Sequence, residues 1–451
     1  MATTYIYRDA TSDVAVQKAT ISFWVKKCGQ GTSQYIFFCG LTGDYSSYSF
    51  YMKFHTDDTI KIVGASPGTT ISYQTDAKFR DPTAWMHIVI KLDMTETGND
   101  RCIMYINGVE ETNYSTQTAM TGSEWYTGKT GYRQFIGYAP SEDTYSSVVL
   151  SHYQYIDGLA LAPTEFGEVD STSGIWKIKT SCYGTPGTNG FCLKMEDRTN
   201  LDLDSSDNAL TMTTSGDLTA TYDNPSNNFP TMNILDNYFQ GATFSKGNLY
   251  TVMSTSNYAW ITGTMPLFAG LWYYETYVDV SVDTDDYLLI GASPYTAAVA
   301  DKELGTNAAW SQDLGYYGYT GGYRRANASN SYGDTFGDGN YIGTYIDLDA
   351  EKIYWSKDGV IQNSGTGVAL TAIADTPFGY WLPAMSQYGS GATYSINFGN
   401  GYFGTTLITS PSADEGGIGA FKYNPSTGTF DGSSKDFRAI CTKNIKLYGA
   451  P

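Results

Sequence analysis

From residue 19 onward the chain runs in short stretches that alternate apolar and polar positions with a period of two, bounded by Gly, Asp, Asn and Ser. That period predicts half-buried strands. Residues 19–26 predict one, with Ile21, Phe23 and Val25 on a single face. Residues 86–92, 101–106, 148–156 and 190–195 predict four more. Asn107-Gly108 follows the third of these strands and signals a tight hairpin, because a type I′ turn needs positive φ at both central residues. Short strands at this spacing predict a two-sheet antiparallel sandwich.

Residues 197–232 lose the alternation and fill with Asp, Asn, Ser and Thr, which predicts a polar linker. Alternation resumes at 272–278, 287–291, 341–347 and 352–355, with a second hairpin turn at Asp358-Gly359. Residues 401–451 are rich in Gly and Ser with one late apolar patch between Phe437 and Leu447, so they predict an extended tail wrapped on the body. The expected fold class is all-β: a sandwich over 1–196, a linker over 197–232, a second sandwich over 233–400 and a tail over 401–451.

Composition supports this reading. Charged residues make up 16% of the 451, below the roughly 25% of an average soluble protein, while Tyr reaches 39 and Gly 48. Coiled coils and helical bundles are excluded. A net charge of −19 argues against nucleic acid and anionic membranes as partners. No apolar run is long enough to span a bilayer, and the opening MATTYIYRDAT has no basic or apolar segment, so no signal peptide is expected. Cys28, Cys39, Cys102, Cys182, Cys192 and Cys441 form no CxxC pair, so free thiols are the expectation, with Cys28/Cys39 and Cys182/Cys192 as the alternatives that would close short loops.

Two resemblances rest on ordered fragments. Thr20-Ile21-Ser22-Phe23-Trp24-Val25, Asp81-Pro82-Thr83-Ala84-Trp85-Met86-His87, Tyr105-Ile106-Asn107-Gly108 and the closing run from Tyr155-Ile156-Asp157-Gly158 to Phe166-Gly167-Glu168 resemble a laminin-G-type, concanavalin A-like jelly roll. Gly270-Leu271-Trp272-Tyr273-Tyr274-Glu275, Leu289-Ile290-Gly291, Gly337-Asp338-Gly339-Asn340-Tyr341-Ile342-Gly343, Asp347-Leu348-Asp349, Ile353-Tyr354-Trp355, Leu382-Pro383-Ala384 and Ile396-Asn397-Phe398-Gly399 resemble a SPRY (B30.2) domain. The tandem, with its Asn227-Asn228-Phe229 joint and its Ala439-Ile440-Cys441-Thr442-Lys443-Asn444 tail, is similar to virion proteins of marine bacteriophages, including those infecting cyanobacteria. That similarity implies a particle or appendage protein assembled in a bacterial host cytoplasm. Its partners would be other virion proteins, a host-surface glycan or protein, and further copies of itself.

Candidate chemistry is sparse. Glu165, Glu168 and Asp170 are the nearest acid cluster to a glucanase pattern, but they follow Pro163 in an expected turn and lack the middle carboxylate. His55, His87 and His152 lie on separate segments, so a His-based triad or metal site is not expected, and His87 reads as structural. The resemblance to laminin-G and pentraxin folds implies Ca2+ as the candidate cofactor, with Asp57 and Asp58 in a turn as the leading ligands. Further acid clusters are Asp202, Asp204 and Asp207, and Asp283, Asp285 and Asp286. Ligand-binding candidates are the Tyr-rich loop with Trp310, Tyr316, Tyr317, Tyr319, Tyr323 and Arg324, and on the first sandwich Tyr45, Tyr48, Trp125 and Tyr126 beside Tyr132. Rigid amphipathic rings suit recognition of sugars or protein, but for the Tyr-rich loop core and inter-domain packing is the favoured role. The functional expectation is non-enzymatic adhesion at a virion surface. A structural cement or spacer protein is the alternative and a glycan depolymerase the third.

Overall fold

The computed structural model describes residues 3–11, 17–66, 69–119, 121, 127–238, 241–253, 258–280, 287–296, 303–306, 312–389 and 391–449. The chain divides into two compact units, 1–220 and 221–451. Both are built from antiparallel sheets, and the one α-helix among the described residues is Thr442–Tyr448.

In the first unit an eight-stranded sheet runs, in spatial order, Tyr114–Thr118, Thr69–Lys78, Thr59–Ser66, Asp44–Phe54, Gln34–Leu41, Tyr132–Ile136, Tyr5–Asp9 and Thr213–Ser215. A six-stranded sheet runs Phe191–Leu193, Val148–Asp157, Lys18–Lys27, Met86–Asp93, Cys102–Ile106 and Val109–Glu110. Period-two alternation sends Ile21, Phe23 and Val25 inward with Ile88, Ile90 and Leu92, where they meet Ile36, Phe37, Met52 and Ile62 of the larger sheet. At the expected hairpin Asn107 has φ 49° and Gly108 φ 79°. A Cβ at Gly108 would stand 2.5 Å from the Trp176 ring, so glycine is required there for space as well as for backbone.

The polar stretch 197–232 differs from a free linker. Its first part packs on the first unit, and residues from 221 belong to the second. The Asp204 carboxylate is buried and accepts hydrogen bonds from the backbone N–H of Cys192 (2.9 Å), Ser206 (3.0 Å) and Leu210 (2.8 Å). Thr213–Ser215 then adds a strand beside Tyr5–Asp9. Side-chain-to-backbone bonds hold this segment, and they leave no apolar period in the sequence. A second departure from expectation is the disulfide Cys182–Cys192, which closes a loop spanning ten positions with a Cα–Cα distance of 5.9 Å. Cys28, Cys39, Cys102 and Cys441 are buried free thiols.

The second unit pairs Met232–Asn237, Tyr258–Gly263, Leu382–Tyr388, Leu288–Ser293, Leu314–Tyr317, Tyr323–Arg325 and Ala328–Asn330 in one sheet. The other contains Ala242–Ser245, Tyr250–Met253, Thr393–Asn397, Leu271–Val280, Tyr341–Asp347, Lys352–Lys357 and Val360–Ile361. Trp272, Tyr274, Ile290, Tyr316, Ile342, Trp355, Trp381 and Ile396 fill the space between them. The tail is bound, as its apolar patch predicts. Thr393–Asn397 flanks only residues 275–280 of the central strand, and Arg438–Ala439 pairs in parallel with the vacated edge at Trp272 and Tyr273. Phe421, Phe430, Phe437, Ala439 and Cys441 then cover Tyr273, Tyr345, Tyr354 and Phe229 in a second layer outside the sheet.

Candidate functional site

The Tyr-rich loop is largely core. Tyr316 is fully buried, stacks on Trp355 at 5.7 Å and donates its hydroxyl hydrogen to the Asp334 carbonyl. Tyr317, next along the strand, faces the opposite side and is also buried, with the Arg324 guanidinium 4.2 Å over its ring. Arg324 stands 3.7 Å from Glu303, whose carboxyl is pushed up to about 7 by burial against the opposing pull of that arginine. Tyr323 is half-buried against Tyr332, and Tyr319 alone of these tyrosines is exposed. Tyr316 and Tyr317 are therefore packing residues, a correction to their candidacy as ligand contacts. Trp310, Trp125, Tyr126 and the acids Asp283, Asp285 and Asp286 lie outside the described residues. Tyr45 is half-buried edge-on to Phe135 at 5.5 Å, Tyr48 is half-buried against the first core, and Tyr132 is buried there.

The expected calcium ligands have other partners. The buried Asp58 carboxylate meets Lys27 Nζ at 2.5 Å and Arg80 Nε at 3.2 Å, and the Gly31 N–H donates to it at 3.0 Å. Asp57 accepts from Thr59 Oγ1 at 2.6 Å and from Gln74 Nε2 at 3.1 Å, and its bonds from Thr59, with His55 beside it, hold its carboxyl well below the ordinary carboxylate range. Two cations already balance the pair, so its chemistry does not fit a Ca2+ site. Among the described residues no cluster of three His, Cys, Asp or Glu is placed to hold a metal. Asp204 is spent on backbone N–H groups, and Asp202 on the Thr214 hydroxyl.

Glu168 and Asp170 flank Lys177, at 3.2 and 3.5 Å, around the exposed hairpin Gly167–Val169 and Trp176–Ile178. Ser22 Oγ lies 2.9 Å from His87 Nε2, a contact that superficially matches a nucleophile and its base. The Trp176 indole N–H donates to His87 Nδ1 at 3.0 Å, and an indole can only donate. The proton of the neutral ring therefore sits on Nε2 and points at Ser22, the reverse of a general base. Burial pushes His87 down to about 3, and Trp24 stacks on it at 4.9 Å. The unfolded ring titrates near 6.5, so the folded unit binds fewer protons below that pH and loses stability as pH falls from about 6.5 toward 3. Thermal melts of the first unit should show a loss of about 2 kcal/mol on going from pH 7 to 5, absent in His87→Phe.

The second unit carries an open cleft of about 450 Å³, lined by Tyr277, Asp279, Tyr341, Phe403, Thr406, Leu407, Ile408, Thr409, Ser410 and Lys422. Its floor follows from strand register. Tyr277 and Tyr341 are directly opposed on neighbouring strands, and their half-buried rings lie 4.5 Å apart. The hairpin Tyr402–Phe403 with Thr406–Leu407 brings Phe403 within 5.1 Å of Tyr341. Gly404, at φ 60°, supplies the turn of that hairpin. Asp279 sits half-buried at one wall, where its carboxylate accepts from Ser395 Oγ at 2.6 Å. Burial raises its pKa. Lys422 is exposed, with its ammonium 5.7 Å from the Tyr341 ring centre. The backbone N–H groups of Lys422 and Tyr423 are fixed by donation to Glu275, at 2.9 and 2.8 Å. The Tyr423 ring backs Tyr341 at 5.9 Å and lies against Gly359, where a Cβ would stand 2.5 Å from it.

None of the cleft residues was singled out by sequence pattern. Tyr277 and Tyr341 are visible as outward positions of alternating strands, but their opposition across the sheet depends on register. Phe403 and Lys422 arrive from the tail.

Residues 2–159 match the family profile of the concanavalin A-like lectin/glucanases superfamily, and residues 271–401 match the SPRY domain. No curated protein matches the chain. Among solved structures, the SPRY domain of human HERC1 is 17% identical, covers 37% of this chain and 96% of its own, and has a TM-score of 0.29. A heptameric SAP-like pentraxin from Limulus polyphemus is 16% identical over 35% of this chain and 77% of its own, with a TM-score of 0.24. The PSpry domain of TRIM65 is 12% identical over 37% of this chain and 91% of its own, with a TM-score of 0.28. A concanavalin A-like domain and a SPRY domain are thus present, and both suit carbohydrate or protein recognition. Phe403, Thr406 to Ser410 and Lys422 of the cleft lie beyond the SPRY match.

Proposed function

We propose that the protein is a non-enzymatic recognition protein at the surface of a bacteriophage particle, a tail appendage or capsid-attached knob that adheres to host-surface carbohydrate. The observation that carries this reading is the cleft, where a cluster of aromatic rings meets an acid on the sheet of a recognition-type domain and an amine brought by the tail. The net charge of −19 supports it, since mutual repulsion keeps particles apart. The engagement of Glu168 and Asp170 by Lys177, and the tautomer of His87, favour adhesion over depolymerisation.

A cement role is the second reading. It is favoured by the aromatic layer outside the eight-stranded sheet of the first unit, where half-buried Tyr5, Tyr7, Tyr45, Tyr51 and Tyr138 surround Phe38 and Phe135. Binding of the purified full chain to host cells separates the two readings. Adhesion predicts retention on cells that is lost after periodate oxidation of surface sugars. No retention under any condition, with uptake onto particles lacking the protein, would instead make it a structural decoration.

A further inference from the structure

We propose that the cleft of the second unit binds a neutral pyranoside, with the Tyr277, Tyr341 and Phe403 cluster as its aromatic wall and Asp279 and Lys422 as the hydroxyl clamps. This inference rests on the carbohydrate-recognition reading and names the ligand class and the site. One face of a pyranose presents a patch of C–H bonds carrying partial positive charge, and aromatic faces carry negative charge. The Tyr277 and Tyr341 rings pack on each other, 4.5 Å apart and tilted by 31°, and Phe403 stands edge-on to Tyr341 at 5.1 Å, so the three form an aromatic cluster in the cleft without any ligand present to order it.

The polar groups select within the sugars. A carboxylate only accepts and an ammonium only donates. A hydroxyl does both, so hydroxyl groups of one ring satisfy Asp279 and Lys422 together. Asp279 has a Ser395 hydroxyl as its hydrogen-bond partner, and Lys246 lies near enough to act on its charge without an ion-pair contact among the described residues. A uronate or sulfated sugar would set its own negative charge against that carboxylate, in a chain that already carries a net −19. A volume of about 450 Å³ suits a short glycan segment held at one ring, within the range of ordinary small-molecule pockets. Because Lys422 and six more of the ten lining residues come from the tail, the site belongs to this chain's tail and not to the SPRY sandwich alone.

The test uses the full chain, its Lys422→Met, Asp279→Asn and Tyr341→Ala variants, an array of gluco-, galacto- and manno-configured trisaccharides with their uronate counterparts, and host cells with and without periodate treatment. Lys422 is exposed and Asp279→Asn is isosteric, so both are expected to melt like the parent protein. The expected result is retention of neutral trisaccharides, weakened about 10- to 100-fold by Lys422→Met or Asp279→Asn, with a matching loss of cell binding. Periodate-sensitive cell binding that is unchanged in all three variants would overturn the site while leaving the carbohydrate reading in place. Retention of uronates alone would overturn the ligand class. Periodate-resistant cell binding with a blank array would overturn both this inference and the reading on which it rests.

Discussion

Deleting residues 412–451 is expected to abolish cooperative folding of the second unit and leave the first intact. The deletion removes Phe421, Phe430, Phe437 and Ile440, each fully buried. Burying one such side chain is worth roughly 1.5–3 kcal/mol, so the four together represent on the order of 6–12 kcal/mol. A whole domain is stable by only about 5–15 kcal/mol. The loss is larger than the lost contacts alone, because Tyr273, Tyr345, Tyr354 and Phe229 beneath the tail would face water. The tail also supplies backbone donors to a buried acid. Glu275 of the sandwich would lose the N–H groups of Lys422 and Tyr423. Calorimetry of the full chain and of a 1–411 chain checks this. Loss of one unfolding transition, with the other unmoved, is the expected outcome. A second transition persisting within a few degrees of the original would show that the sandwich stands without its outer layer.

The strength of that expectation shows where sequence was informative and where it was not. Strand positions were legible because a two-residue period is a direct imprint of one buried face, and Asn107-Gly108 and Asp358-Gly359 were legible because few residue pairs tolerate two positive φ values in succession. The apolar patch after Phe437 likewise marked the tail as bound. What covered what was not legible. Tyr273, Tyr345 and Tyr354 sit at outward positions of their strands, so alternation alone points them at solvent. Only the pairing of Arg438–Ala439 with the central strand reveals a second layer above them. The Tyr-rich loop follows the favoured packing role more than the recognition role its candidates were named for. Its richness in aromatic residues suggests a platform, yet the strand Leu314–Tyr317 sends Tyr316 into the core and Tyr317 beneath Arg324. The cleft escaped notice because its residues come from three separated segments that only register and tail path bring together. The disulfide escaped because spacing alone leaves a thiol pair and a bonded pair indistinguishable.

Glu275→Ala is expected to destabilise the second unit by about 3–5 kcal/mol, through the penalty for leaving buried donors without a partner. Glu275 is fully buried, and its carboxylate receives four donors: the Tyr273 hydroxyl at 3.1 Å, the Asn397 amide at 3.1 Å and the N–H groups of Lys422 and Tyr423. Alanine leaves the Tyr273 hydroxyl and the two backbone N–H groups without this acceptor, while the Asn397 amide keeps its bond to the Ala420 carbonyl. Burial pushes the carboxyl up to about 7 even against these donors, whereas the unfolded chain titrates near its ordinary 4.5. Between those values the folded state holds more protons, so the contribution is present at pH 4.5 and is lost as pH rises toward and through 7. At about 1.4 kcal/mol per pH unit the wild-type unit should lose roughly 3 kcal/mol across that window. Glu303 shares this direction, so the informative quantity is the difference between wild type and Glu275→Gln, in which the share due to Glu275 disappears. His87 gives the first unit the opposite slope, and acidification from pH 7 to 5 should therefore move the two transitions in opposite directions. Melting curves at intervals across that range decide the matter: a second-unit transition whose pH dependence is unchanged in Glu275→Gln would mean that Glu275 titrates alike in the folded and unfolded chain.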